Sequence, residues 1–147
     1  MPVPPEFMSH PVRDARRRIR TDHAPIVDGI DACADAVAAP WDTARTTDRK
    51  TVADGLHQTL ADAGVLEALP RVLADAVDAT GYELRATPVP APPYVVVTSR
   101  GPLLRATIDP GRLVIRFDTF EVVRDPVPDR PPAYRRLDGT RLEVSLE

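Results

Sequence analysis

The sequence predicts an α+β fold, with N-terminal helices packed on one face of a C-terminal antiparallel β-meander, and three observations carry that expectation. Between residues 9 and 80, apolar residues recur at three- and four-residue steps, the period of an amphipathic helix. From Tyr82 onward the period shortens to two, as in a half-exposed strand. Between Tyr94 and Arg124, β-branched and aromatic runs are separated by Gly101-Pro102 and Pro110-Gly111, which reads as strands joined by tight turns. Helices first and strands afterwards is the order of an α+β chain rather than an alternating α/β one.

The elements follow in order. Residues 1–8 read as a proline-stiffened tail with little to bury, and 9–147 as one domain, its helical part about 9–80 and its sheet part about 82–147. Met8 is a candidate start, because Ser9 has the chemistry of an N-cap directly before the helical period begins. Val12, Ala15, Ile19, Ile26, Ile30, Cys33 and Val37 then form one apolar stripe, interrupted at Asp22 and His23. Pro25 removes a backbone donor and disfavours helix at Ala24, so the stripe is expected to be either two helices or one kinked helix, ending near Pro40.

Trp41 to Thr47 is polar and turn-like. A second helical segment is expected from Asp48, with Val52, Leu56, Leu60 and Ala63 buried and Gly64 as its left-handed stop. A third carries Leu66, Leu69, Val72, Leu73, Ala76 and Val77 to Thr80-Gly81, with Pro70 expected in its first turn. Tyr82, Leu84 and Ala86 alternate with polar residues as a strand would, and Pro88 to Pro93 forms an extended connector. In the meander, Leu104, Ala106 and Ile108 share one face, and so do Leu113, Ile115 and Phe117. Past Asp118 the parity switches to Phe120 and Val122, which a β-bulge near Asp118-Thr119 explains. Asp125 to Pro132 reads as a loop. Arg141 to Glu147 reads as a terminal edge strand with Leu142, Val144 and Leu146 inward.

Composition narrows the function classes. The 147 residues carry a formal net charge of −3, which argues against a general polyanion binder and makes a nucleic-acid partner an unfavoured expectation. Aromatics make up only 5%, so small aliphatic side chains must fill the core. Lys50 is the one lysine, Asp outnumbers Glu, and Asn is absent, a bias of GC-rich coding and of halophiles. Cys33 stands alone, which rules out an internal disulfide and points to a reducing cytoplasm. The N-terminus lacks the basic start and apolar core of a signal peptide. The uncharged stretch Ala86 to Ser99 is too short and proline-rich to span a bilayer, so no membrane partner is expected.

Few residue patterns carry chemistry. Arg13, Arg16, Arg17 and Arg20 lie at i, i+3, i+4 and i+7, so a helix places all four on one face. They are the candidate binding residues, as a docking surface for phosphate, nucleic acid or an acidic protein, although charge runs on amphipathic helices are more often a solvated face, here the one opposite the Val12/Ala15/Ile19 stripe. The second and third helical segments resemble a helix-turn-helix in outline, yet the third exposes Glu67, Asp75 and Asp78 against Arg71, which repels phosphate.

Of His10, His23 and His57, His23 has Asp22 and Asp28 nearby in sequence and His57 has Asp54, but no converging ligand set is visible, so no metal or other cofactor is expected. Cys33 reads as a small buried hydrophobe. Thr98 and Ser99 lack the flanking glycines of a nucleophile elbow, and Asp109-Pro110-Gly111-Arg112 reads as a turn. No catalytic residue is assigned. Tyr94, Phe117, Phe120 and Tyr134 read as core before pocket.

The segment Ala91-Pro92-Pro93-Tyr94-Val95-Val96-Val97-Thr98-Ser99-Arg100-Gly101-Pro102-Leu103-Leu104-Arg105-Ala106-Thr107 resembles a block found in short uncharacterised proteins of halophilic archaea. The preceding helix and the strands to about Arg124 belong to the same resemblance, which implies no activity, substrate or catalytic residue. The resulting expectation is a small, cytoplasmic, non-enzymatic binding or regulatory protein. It would act through the arginine face or an exposed sheet edge on another protein, or as a homo-oligomer through the Val12 to Val37 stripe. The alternative is a small-ligand-binding protein or enzyme whose site assembles from residues distant in sequence.

Overall fold

A computed structural model describes residues 10–41, 45–46, 48–124 and 132–147. The first stripe forms two helices, α1 (Pro11–Asp22) and α2 (Ala24–Ala38). The break falls at His23, whose φ of −123° and ψ of 24° leave the helical region. Pro25 thereby sits in the first turn of α2, where a missing donor costs little. Ser9 and the tail lie outside the described residues; the cap position of α1 is His10, with Pro11 opening the helix.

Helix α3 (Arg49–Asp62) starts on Asp48, whose carboxylate accepts from the Thr51 N–H at 3.0 Å. Gly64, at φ 77°, ends α3 and leads directly into α4 (Val65–Thr80), which Gly81 terminates. Pro70 corrects the expectation of a first-turn proline. It is the sixth residue of α4 and buried, so the Leu66 carbonyl lacks its usual i+4 donor.

The strands form one antiparallel sheet in the order β1-β5-β4-β3-β2: β1 (Arg45–Thr46), β2 (Val95–Val97), β3 (Pro102–Ile108), β4 (Gly111–Val123) and β5 (Ala133–Leu146). Three expectations change here. Tyr82 to Thr87 is not a strand; it runs without a ladder partner among the described residues. The segment expected as a turn after Trp41 contributes β1, which pairs with Tyr134 and Arg135; residues 42–44 and 47 lie outside the described set. The last strand begins at Ala133 rather than Arg141, and residues 125–131 of the expected loop also lie outside the description.

The bulge appears where the parity switch put it, between Asp118 and Phe120, but β5 supplies the surplus residues. Asp118 faces Arg141 and Phe120 faces Arg136, so Thr119 alone stands opposite Leu137 to Thr140. On the other side of β4, the β2–β3 hairpin tip braces the same residues. The Arg100 carbonyl accepts from the Thr119 N–H (2.7 Å), the Phe120 N–H (3.0 Å) and the Thr119 hydroxyl (3.0 Å). Gly101 makes that approach possible: at φ 148°, an added Cβ would lie 1.8 Å from the Phe117 carbonyl oxygen.

The helices cover one face of the sheet. Leu104, Ala106, Ile108, Leu113, Ile115 and Phe117 join Ile19, Ile30, Leu56, Leu60, Leu69 and Leu73 in a single core. Trp41 closes its edge against Phe120, ring centroids 5.5 Å apart. The stripe from Val12 to Val37 packs into this core within one chain, which removes it as an open dimer face.

Candidate binding surfaces

Helix α1 lies over β5 and against α4, and its arginines divide between two flanks. Arg18 faces α4, with Asp75 and Asp78 each 3.5 Å away and Asp22 of its own helix at 3.5 Å. His23 Nε2 meets Asp75 Oδ2 at 2.8 Å, so Asp75 ties both ends of the α1–α2 junction to α4. Successive residues turn by 100°, which puts Arg13, Arg16 and Arg20 on the opposite flank and Arg17 on top. Arg13, Arg17 and Arg20 are exposed, and Arg16 is half-buried. Among the described residues Arg13 has a loose contact with Asp14, 3.6 Å. The Arg16 Nε is buried without a hydrogen-bond partner among the described residues.

Arginines also gather on the solvent side of the sheet, through register rather than sequence spacing. Arg105 faces Val114 across β3 and β4, and Arg112 and Arg116 are the diagonal neighbours. Val114 is 8% exposed yet stands outside the main core, as expected of an apolar residue shielded by arginine stems on the outer face. Where β3 runs past β2, a hollow of about 400 Å³ is lined by Leu84, Arg85, Tyr94, Arg105, Thr107 and Arg112, among others. The Arg105 Nε donates to the Pro93 carbonyl at 3.0 Å, which anchors that guanidinium at the rim. A second hollow of about 360 Å³ beside the hairpin tip brings Arg49, Arg100, Arg116 and Arg124 around Asp118. Both collect positive charge from several elements, which no single stretch of sequence displays.

A polar network joins the layers. Arg136 on β5 reaches Asp31 Oδ1 (2.8 Å) and Asp35 Oδ1 (3.1 Å) on α2, and its guanidinium also donates to the carbonyls of Thr119, Leu137 and Asp31. The Thr140 hydroxyl donates to the same Asp31 carboxylate. Burial pushes the Asp31 carboxyl up, but the Thr140 and Arg136 hydrogen bonds and the Arg136 charge outweigh it, and the net shift is downward.

The remaining sequence candidates take structural places. Burial raises the Cys33 thiol pKa, and Cys33 contacts the Thr59 carbonyl at 3.7 Å. The Thr98 hydroxyl donates to the Gly101 carbonyl (2.9 Å) and accepts from the Arg100 N–H (3.1 Å), so it holds the hairpin turn. Phe117 and Phe120 are core, and Tyr94 is half-buried at the rim of the larger hollow. Among the described residues no three His, Cys, Asp or Glu side chains gather as metal ligands, and no helix is long and apolar enough to cross a membrane.

These features define the class: a two-layer α+β domain with four described helices on one face of an antiparallel sheet and arginine-rich surfaces on its outside. The chain belongs to the family described as a domain of unknown function, DUF7988, which matches residues 13–147. That match extends well beyond the block from Ala91 to Thr107. No curated protein and no solved structure matches the chain.

Proposed function

We propose that this is a small non-enzymatic binding or regulatory protein that works through protein–protein contacts. The observation that supports it is the division of the α1 arginines. Arg18 is committed to Asp75 and Asp78, whereas Arg13, Arg17 and Arg20 stand in solvent on a helix whose apolar side is fully used by the core. A rigid helix that presents several guanidinium groups suits recognition of an acidic protein surface. The composition, rich in Asp and Arg and nearly free of lysine, supports a cytoplasmic setting in a halophilic archaeon.

The test is affinity purification from the native host at its native salt, with wild-type protein and with Arg13, Arg16, Arg17 and Arg20 changed to Glu. A stoichiometric partner lost on charge reversal supports the reading. A partner retained by the variant removes the helix face. No stoichiometric partner at all overturns the reading itself.

A second reading, a receptor for a small anionic ligand, is favoured by the hollow that places Arg85, Arg105 and Arg112 beside Tyr94. Titration with inorganic phosphate, followed by the amide signals of Thr107 and Arg112, tests it. Shifts abolished by Arg105→Ala support it, and unmoved signals count against it.

A further inference from the structure

The arginine flank of α1 and the outer edge of β5 form one composite surface. The Arg112 N–H donates to the Glu147 carbonyl and the Glu147 N–H to the Arg112 carbonyl, each at 2.8 Å. Glu147, Ser145, Glu143 and Arg141 therefore direct their backbone groups toward β4. Leu142, Val144 and Leu146 alternate with them, and direct theirs away from β4. Among the described residues the one strand on that side is β1, which pairs only with Tyr134 and Arg135. Among the described residues, the last third of β5 thus carries an open row of donors and acceptors. Leu142 and Leu146 are half-buried beside it.

Helix α1 belongs to the layer on this strand. It packs on β5, and Asp31 of the following helix is held at Thr140, which fixes the far end of the helical pair over the start of the open segment. Twelve helical residues span about 18 Å and the steps from Thr140 to Leu146 about 20 Å, so helix and edge match in length. Because Arg18 takes the α4 side, the flank beyond the sheet edge carries Arg13, Arg16 and Arg20. Along the axis these three lie about 4.5 and 6 Å apart. Same-face residues of a strand lie about 7 Å apart, so three of them overspan the roughly 10.5 Å from Arg13 to Arg20, a difference that the long guanidinium side chains take up. A second copy of this chain joined through β5 would set this flank against its own like charge, which disfavours self-pairing.

Resting on the binding-protein reading above, we infer that this edge accepts an extended acidic segment of another protein, added to the sheet as a further strand beside β5. Its backbone pairs with Leu142 and Val144. Glutamates at alternate positions lay their stems over Leu142 and Leu146 and reach Arg13, Arg16 and Arg20.

The probe is a synthetic peptide of four Val-Glu repeats, blocked at both ends, with a Val-Lys peptide as control. Both are titrated into the isotope-labelled full chain, and amide hydrogen exchange is read residue by residue. The acidic peptide is expected to slow exchange at Leu142 and Val144, while Arg141 and Glu143, already bonded to β4, stay unchanged. Arg13→Glu with Arg20→Glu alters two exposed side chains, keeps the fold, and weakens binding by roughly tenfold or more at low salt. Equal affinity for both peptides, or saturation without protection at Leu142 and Val144, overturns the inference. A stoichiometric native partner that leaves those amides unprotected also overturns it, while the binding-protein reading stands.

Discussion

Replacing Arg136 with methionine is expected to loosen the seam between the helical layer and the sheet, and the structure sets the scale. The Arg136 side chain is 15% exposed, and its guanidinium joins Asp31, Asp35 and three carbonyl oxygens. Asp35 is 72% exposed, so its contact is screened and contributes little. Asp31 and the carbonyls count for more. Methionine keeps the stem packing but leaves them to whatever water reaches them, at a net cost of about 2–3 kcal/mol. With a urea slope of roughly 1.5 kcal/mol per molar, the unfolding midpoint falls by roughly 1.3–2 M.

The pH dependence gives an independent check. Asp31 titrates below its ordinary value in the folded state, so its ion pairing contributes fully above the unfolded carboxyl pKa of about 3.9 and is lost as the pH falls through the folded one. In Arg136→Met the burial that pushes the carboxyl up remains while the Arg136 contribution is gone. The stability gap between wild type and variant should therefore be full at pH 7 and narrow on acidification below about pH 4. Urea titrations followed by circular dichroism at several pH values measure it. A gap under about 0.5 kcal/mol at pH 7, or one that stays constant into acid, would refute the assignment of Arg136 as the clamp between the layers.

Three further outcomes follow from the same geometry. Gly101→Ala would drive a methyl to 1.8 Å from the Phe117 oxygen and displace the tip that bonds Thr119 and Phe120, so a loss of about 3 kcal/mol or more is expected in urea melts, and wild-type stability would contradict it. Leu73→Ala, at a fully buried position, should cost about 2–5 kcal/mol, read as a fall in Tm without a change of secondary structure. Cys33, buried and with a raised thiol pKa, should resist iodoacetamide in the native protein and react promptly in urea; fast native alkylation would show that the α2–α3 contact opens readily.

Helices were legible because their signals are local. The apolar stripe, the Asp48 cap and the Gly64 stop act within a few residues, and each lies where the sequence puts it. Strands need a partner, and the pattern alone does not supply one. Tyr82, Leu84 and Ala86 alternate as well as any strand here, and Tyr82 and Leu84 pack on the core, yet among the described residues no neighbour pairs with them. The bulge showed the same division. Parity on β4 located it, while its surplus residues lie on β5, which the sequence of β4 says nothing about. Likewise the arginines of the outer sheet face were visible as polar positions, but their gathering around Val114 depends on a register that only the paired strands define.

The α1 arginines show how tertiary contacts decide what a charge run means. On the helix alone, Arg13, Arg16, Arg17 and Arg20 form one face, and Arg18 looks like a stray. Docking onto α4 reverses the emphasis: Arg18 is the arginine that meets Asp75 and Asp78, and helix geometry then puts Arg13, Arg16 and Arg20 on the flank away from α4. Severing Arg18 from α4 should therefore disturb the far flank without touching it. If Arg18→Gln leaves acidic-peptide binding at wild-type affinity, the roll of the helix is fixed by the Ala15 and Ile19 packing alone. If affinity falls while the melting temperature holds, the ion pairs orient the binding flank.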